Sequence, residues 1–183
     1  MRYLVPLLVL LAVSCTSQRY YVIRHAERAI VTKDSLGFTA SNPPLSEPGQ
    51  VRAFVVREEL KKKHIDAIFS TNYHRTIATA KPLATALDNM TIQNYSPSKD
   101  SLNAFIERLK AIKKGSVLVV GHSNTVDDIV NSLTGEKNIP GDLQDTEYDN
   151  MYIIRRKKDK MEFSQKKYGY PSNPERSSGR TGM

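Results

Sequence analysis

The chain has 183 residues, a formal net charge of +8, 39% hydrophobic residues and 25% charged residues. This length suits one domain with a buried core, and strongly apolar sequence is confined to residues 1–14, which excludes a bundle of transmembrane helices. A single cysteine, Cys15, excludes an intrachain disulfide framework and a cysteine-based zinc site.

The amino terminus has the pattern of a targeting segment. Arg2 precedes an apolar run over residues 4–13, which is too short to span a bilayer as a permanent helix. The run ends in Ala12-Val13-Ser14-Cys15, which resembles a bacterial lipobox. We therefore expect a signal peptide over 1–14, a lipidated Cys15 with a linker to residue 18, and an exported protein that a lipid anchor holds on the extracytoplasmic face of a membrane. An ordinary signal peptide with a chance cysteine is the alternative.

The rest of the chain predicts strands that alternate with helices. Strands are expected at 19–23, 65–70, 91–95 and 117–121, with a final pair at 151–154 and 161–163. Helices are expected from a Ser46 cap to the lysines at 61–63, over 76–87, over 102–112 and over 124–133, with a loop over 29–44. This order predicts an α/β domain over residues 19–168, a three-layer α/β/α sandwich with a mostly parallel sheet.

The excess of positive charge lies in the last part of the chain, after residue 154. Residues 16–154 carry 17 Lys and Arg against 16 Asp and Glu, whereas residues 155–183 carry nine against three. We expect a disordered basic tail over 169–183, which stays solvated or is weakly attracted to an anionic surface. No basic stripe interleaved with aromatic residues runs along the domain, so we expect no nucleic-acid partner.

Three predicted strands end in cationic side chains. The sequences at these ends are Arg24-His25-Ala26-Glu27-Arg28, Tyr73-His74-Arg75-Thr76 and Gly121-His122-Ser123-Asn124. Ligands bind beyond the carboxyl ends of parallel strands, so we expect imidazoles and guanidiniums to converge on one pocket. Arginine suits phosphate oxygens, and a neutral histidine can act as a nucleophile. The joint pattern indicates an anionic, phosphoryl-binding site, although one histidine after a strand is more often a structural hydrogen-bonding residue.

These segments together resemble the histidine phosphatase superfamily, also called phosphoglycerate-mutase-like, over about residues 20–154. The matching sequences are Val22–Arg28, Leu45–Gln50, Phe69–Thr71 with Arg75 and Thr76, and Val119–Asn124. The resemblance implies a phosphoglycerate-mutase-like fold and a mechanism without a metal or another cofactor. It also implies that His25 becomes phosphohistidine, that Arg24 and Arg75 clamp the phosphoryl oxygens, and that His122 is the second histidine of the pocket.

Other roles stay open at this point. Arg28 is near enough to reach the phosphate or the substrate, but it also reads as a surface residue. The general acid is either Asp100, which the resemblance suggests by position alone, or Glu27, which could instead balance the arginines. Asn124 either donates to an oxygen of the substrate or caps a helix. His74 is expected to line the mouth of the site.

The resemblance favours hydrolysis of a phosphomonoester or a phosphoprotein. About forty residues separate Arg75 from Val117, and they leave no room for a large cap of the kind that would exclude water during a mutase reaction. Two alternatives remain: a non-catalytic lipoprotein that binds an anion, and a phosphoglycerate-mutase-type phosphotransferase. Specificity is expected in residues 29–44, 73–74, 95–100 and 139–150.

Overall fold

A computed structural model describes residues 18–32, 37–113, 115–158 and 160–172. In chain order the elements are β1 (Arg19–Arg24), α1 (Glu47–Leu60), β2 (Ile65–Ser70), α2 (His74–Ala86), β3 (Ile92–Asn94), α3 (Lys99–Ala111), β4 (Ser116–Gly121), α4 (Val126–Thr134), β5 (Asn150–Lys157) and β6 (Lys160–Lys167). The predicted alternation is confirmed. The predicted signal peptide and Cys15 lie outside the described residues.

The strands form one six-stranded sheet in the order β3-β2-β4-β1-β5-β6. Strands β1, β2, β3 and β4 pair in parallel, whereas β5 is antiparallel to β1 and β6 is antiparallel to β5. The predicted final strand pair is confirmed, with Ile154 opposite Phe163. The sheet is therefore mostly parallel, as predicted.

Helices cover both faces of this sheet. Tyr20 and Val22 of β1 point into a core cluster with α3 and α4, whereas Tyr21 and Ile23 point into the opposite cluster with α1 and α2. This alternation follows from the two-residue period of a strand. It confirms the three-layer α/β/α architecture. All the buried apolar residues of the described chain lie between Tyr20 and Tyr168, so a chain that begins at Thr16 contains this core complete.

The start of α1 is tied to the loop that follows β1. The Ser46 hydroxyl accepts a hydrogen bond from the Gly49 amide at 3.3 Å, which confirms the predicted cap. The Ser46 amide donates to the Glu27 carbonyl at 2.9 Å. A Cβ atom on Gly49 would lie only 2.1 Å from that same carbonyl oxygen, so only glycine allows this approach. Helix α1 thereby fixes the backbone two residues after His25.

Two predicted boundaries differ from the structure. Helix α4 begins at Val126 with Thr125 as its N-cap, so Asn124 precedes the helix and does not cap it. Residues 169–172, which we expected to begin a disordered tail, pack on the domain instead: Ser172 donates its amide to Asp149 at 3.1 Å, and its hydroxyl accepts from the Tyr148 amide at 2.9 Å. Residues 173–183 lie outside the described part of the chain. No helix within the described ranges is long and apolar enough to cross a bilayer.

Candidate active site

A cavity of about 420 Å³ lies at the carboxyl ends of β1, β2 and β4. Its lining residues are Arg24, His25, Arg28, Tyr73, Arg75, Ser96, Pro97, Ser98, His122, Ser123, Asn124 and Asp145. The fold thus brings together six of the residues singled out in the sequence, from three segments of the chain. A parallel sheet places such loops at one edge, and this explains why residues almost a hundred positions apart meet here.

His25 is buried and its tautomer is fixed. Its Nδ1 lies 2.7 Å from the Ala26 carbonyl oxygen, and because a carbonyl only accepts, Nδ1 carries the proton. The lone pair of the neutral ring is therefore on Nε2. Burial holds the pKa of His25 well below its usual value of 6.5, and the charges of Arg24 and Arg75 lower it further. His25 is thus neutral at physiological pH with Nε2 free to attack an electrophile.

His122 is held in the opposite tautomer. Arg75 donates from Nη2 to Nδ1 of His122 at 3.3 Å, so the proton of the neutral ring is on Nε2. Nε2 lies 2.8 Å from the Thr71 hydroxyl oxygen, which accepts this proton. The two imidazole rings are 5.4 Å apart between centroids. Burial first, and then Arg75 and Arg24, lower the pKa of His122 to about 4.

A buried hydroxyl chain continues from His122. Thr71 donates to the Thr76 hydroxyl at 2.9 Å, and Thr76 donates to the Tyr73 carbonyl, also at 2.9 Å. Both threonines are fully buried. Each hydroxyl in this chain accepts one hydrogen bond and donates another, so its direction is fixed from the imidazole to the backbone.

The loop between α4 and β5 holds Arg24. Nη1 of Arg24 donates to the carbonyl oxygens of Gln144 at 2.7 Å and Glu147 at 3.3 Å. The guanidinium carbon lies 4.1 Å from the centroid of the Tyr148 ring, and Nη2 lies 3.6 Å from a carboxylate oxygen of Asp145. Nε is buried without a hydrogen-bond partner among the described residues. The contacts of its terminal nitrogens and of its ring-stacked face hold the Arg24 guanidinium in place at the cavity.

The three arginines at the cavity repel one another. Burial, together with the charge of Arg28, lowers the pKa of Arg75, and Arg24 adds to this effect. Burial also lowers the pKa of Arg24, against the opposing influence of Tyr148 and Asp145. The Asp145 side chain is 87% exposed, so it screens this charge weakly. A bound dianion would relieve the repulsion, which is the electrostatic condition of a phosphate site.

Glu27 has a different position from the one expected of a general acid. Its carboxylate accepts from Nε of Arg52 at 2.9 Å and from Nη2 at 2.7 Å, and both side chains are buried. Glu27 does not line the cavity. Arg52 also donates to the carbonyl oxygens of Tyr168 and Tyr170, each at 3.0 Å. This ion pair therefore holds the loop after His25 on α1, and Arg52 also links it to the segment after β6.

Two further expected site residues do not reach the cavity. Asp100 lies exposed in the first turn of α3 and is not among the lining residues. His74 begins α2, where its ring packs edge-on against Phe38 at 5.2 Å between centroids. Of the loops expected to set specificity, the described residues 29–32 and 37–44 contribute no lining residue, although the Ser41 carbonyl accepts from Arg75 at 3.1 Å. Neighbouring residues of a helix point in different directions, so α2 directs Arg75 to the site and His74 away from it.

The sequence predicts no individual role for Thr71, Asp145 or Tyr148, although the last two lie in the loop of residues 139–150 where specificity is expected. Thr71 lies inside a motif that was recognised, directly after β2, so its position was the available signal. Asp145 and Tyr148 lie in a loop with no hydrophobic period, where no local pattern distinguishes a site residue from a solvated one. Among the described residues, no group of three or more His, Cys, Asp or Glu side chains could hold a metal ion.

A comparison with protein families finds a match in the first part of the described chain. Residues 20–96 match the family model of the histidine phosphatase superfamily (branch 1). The matched segment runs from β1 to the loop after β3, and it includes Arg24, His25 and Arg75. This segment of the chain is therefore similar to the histidine phosphatase superfamily. No curated protein sequence matches the chain at a significant level.

Solved structures share the whole fold. A candidate phosphohistidine phosphatase SixA from Agrobacterium tumefaciens matches with a TM-score of 0.60 and 18% identity, over 84% of this chain and 98% of that one. A phosphoserine phosphatase variant from Entamoeba histolytica in complex with phosphoserine matches at 0.58 and 12%, over 82% and 96%. A phosphoglycerate mutase from Plasmodium falciparum matches at 0.54 and 13%, over 86% and 94%. The phosphoglycerate-mutase-like fold is thereby confirmed.

Proposed function

We propose that the chain is a metal-independent phosphatase that hydrolyses a phosphomonoester, free or on a protein, through a phosphohistidine on His25. One observation carries the proposal: a buried neutral imidazole, with its proton fixed on Nδ1 by Ala26, lies in a cavity lined by three arginines. Nucleophilic catalysis needs an unprotonated nitrogen, and phosphoryl transfer needs cations around the equatorial oxygens.

In the first step the lone pair on Nε2 of His25 attacks phosphorus. A P–N bond forms while the bond from phosphorus to the leaving oxygen breaks. Arg24, Arg28 and Arg75 stabilise the negative charge on the three remaining oxygens, since all three line the cavity. The proton stays on Nδ1, where it is donated to the Ala26 carbonyl, so the phosphorylated ring carries a positive charge that makes it a good leaving group in the next step.

His122 complements the charge of the phosphoryl group. Its Nε2 proton is committed to Thr71, which leaves Nδ1 as the nitrogen that changes protonation. A bound dianion opposes the effect of Arg75 and Arg24 on the His122 pKa and raises it. Nδ1 then takes up a proton and donates a hydrogen bond to a phosphoryl oxygen.

Asp145 is the candidate for the proton transfers in place of Asp100 and Glu27. It is the carboxylate among the residues that line the described cavity. In the first step its protonated form gives a proton to the leaving oxygen. In the second step its ionised form takes a proton from the water that attacks phosphorus, as the P–N bond breaks and His25 is restored.

The exposure of the cavity supports hydrolysis over a mutase reaction. Arg28, Asn124 and Asp145 line the cavity and are exposed to solvent, so water reaches the intermediate. A mutase must retain its product and exclude water until the second transfer. A non-catalytic anion-binding role would not require the fixed tautomers of His25 and His122.

Hydrolysis of p-nitrophenyl phosphate in EDTA tests this proposal. The chain beginning at Thr16 is compared with His25→Ala, and with His64→Asn as a matched control that changes a histidine outside the cavity. We expect turnover that survives chelation and the control substitution but disappears in His25→Ala. Turnover that persists in His25→Ala, or that chelation abolishes, would contradict the proposal. A folded protein without turnover that is nevertheless stabilised by phosphate would favour the anion-binding alternative.

We further propose that the protein is exported and lipid-anchored through Cys15. Support comes from the sequence, in which this lone cysteine follows the apolar run over residues 4–13. Metabolic labelling with a fatty acid should mark the full chain and not its Cys15→Ser variant. Equal labelling of both, or a protein that stays unprocessed in the cytoplasm, would contradict the anchor.

A further inference from the structure

A second cavity, of about 740 Å³, lies far from the candidate active site. Its lining residues are Lys110, Lys113, Ser132, Leu133, Thr134, Gly135, Glu136, Arg156, Lys158, Lys160 and Met161. Five of them are cationic and one is acidic. We call the surface formed by Lys110, Lys113, Arg156, Lys158 and Lys160 the basic face. It gathers charges from α3, the following loop and the β5–β6 hairpin, while the domain up to residue 154 is nearly neutral in total.

The chain enters the domain at the rim of this basic face. The carbonyl of Gln18 accepts from the Arg156 amide at 3.0 Å, and the Gln18 side chain donates to the Ile112 carbonyl. Gln18 thus sits beside two parts of the face. Cys15 lies three residues earlier, and three residues reach at most about 10 Å. A membrane anchor at Cys15 therefore brings the bilayer surface to the basic face.

The candidate active site lies at the other edge of the sheet. Strand β1 runs from Arg19 beside the basic face to Arg24 in the cavity, a length of six residues or about 20 Å. The basic face lies at the amino ends of the parallel strands, whereas His25 follows a carboxyl end. A surface that contacts the basic face leaves the active-site cavity directed away from that surface.

We propose that the basic face docks on the anionic phospholipid headgroups of the membrane that carries the anchor, and that this contact directs the active site into the aqueous compartment. The choice of this membrane as the docking surface rests on the proposed anchor at Cys15. Charge complementarity supports a lipid surface, because Lys113, Lys158 and Lys160 are exposed and spread over two segments. Such charges interact with many headgroups at once, each contact being weak and sensitive to salt.

Binding to phospholipid vesicles tests the proposal without the anchor. The chain that begins at Thr16 is mixed with vesicles of phosphatidylcholine alone, or of phosphatidylcholine with phosphatidylglycerol, and its sedimentation is measured at low salt. The test variant is Lys158→Glu with Lys160→Glu. The matched control is Lys81→Glu with Lys99→Glu, which makes the same change in net charge at exposed lysines outside the basic face.

We expect binding only to the anionic vesicles, loss of binding as salt rises, and a partition coefficient at least about tenfold lower in the test variant than in the control. Equal weakening in both double variants, or no binding of the unsubstituted chain to anionic vesicles, would overturn the proposal. Displacement by inorganic phosphate at constant ionic strength would assign the face to a small anion and also overturn it. Because the test chain lacks Cys15, failure here is distinct from failure of the anchor.

Discussion

The Thr71 hydroxyl oxygen lies 2.8 Å from Nε2 of His122 and accepts the proton that Arg75, by donating to Nδ1, places on that nitrogen. Without Thr71, the proton that Arg75 keeps on Nε2 by donating to Nδ1 would lose its acceptor. Thr71 is fully buried, so no water replaces it. It acts as a positioning residue, since it does not line the cavity itself.

Thr71→Val should lower kcat by about 10- to 100-fold with a smaller effect on KM. The substitution leaves a buried N–H of His122 without an acceptor, at a cost of roughly 1–3 kcal/mol, and so disfavours the tautomer that Arg75 selects. Thr71→Ser keeps the oxygen and should restore most of the rate. A merely structural role predicts instead that Thr71→Val and Thr71→Ser change stability together and leave the pH profile of kcat unmoved.

Asp145→Asn should lower the rate by an amount that depends on the leaving group of the substrate. Alkyl phosphates need a proton at the leaving oxygen, whereas p-nitrophenolate leaves without one, so kcat/KM should fall far more for the alkyl ester, by about 10²-fold or more. Both rates are measured on the same preparation, so differences in the amount of active enzyme cancel. Asp100→Asn serves as control, because Asp100 lies outside the cavity. Equal losses on both substrates would remove Asp145 from the role of acid.

The stability of the protein should depend on pH through His122. Its pKa is 6.5 for an ordinary side chain and about 4 in the folded protein, so between these values the unfolded chain binds more protons. The stabilisation is complete above pH 6.5 and is lost as the pH falls towards 4. Urea unfolding at pH 7 and pH 5 should show a drop of about 2 kcal/mol from this group. His122→Gln should reduce that drop, and an unchanged drop would contradict the assignment.

The Glu27–Arg52 ion pair should act mainly on the free energy of unfolding. Removing one partner of a buried ion pair leaves the other charge uncompensated, so Glu27→Gln and Arg52→Met should each lower the free energy of unfolding by about 3–5 kcal/mol. The double variant should cost clearly less than the two single variants together. Additive losses in the thermal or urea unfolding of the three variants would show that the two side chains do not act as a pair.

The strand ends were predictable because each motif is local. A β-rich run followed by Arg24 and His25, and another followed by Gly121 and His122, identify both the strands and the edge at which they meet. The six residues that converge in the cavity come from these two motifs and from the segment with Arg75 that follows β2. The Ser46 cap was predictable for the same reason, since it depends on residues only a few positions apart.

Contacts between distant segments were not predictable. Glu27 looks like a catalytic carboxylate in the sequence, and only the packing of α1 places Arg52 on it. Asp145 lies in an irregular loop that Arg24 organises from another strand. The basic face combines residues 110–113 with residues 156–160, and a charge count along the chain shows the second group only as part of the positive excess after residue 154.

The most direct test is to trap the phosphorylated enzyme. The chain is mixed with p-nitrophenyl phosphate, quenched in alkali within milliseconds, and examined by mass spectrometry of the intact protein and its peptides. The account predicts one alkali-stable, acid-labile phosphoryl group on His25, which is also present in His64→Asn and absent from His25→Ala. Turnover with no adduct at any time, or an adduct on another residue, would contradict the phosphohistidine mechanism.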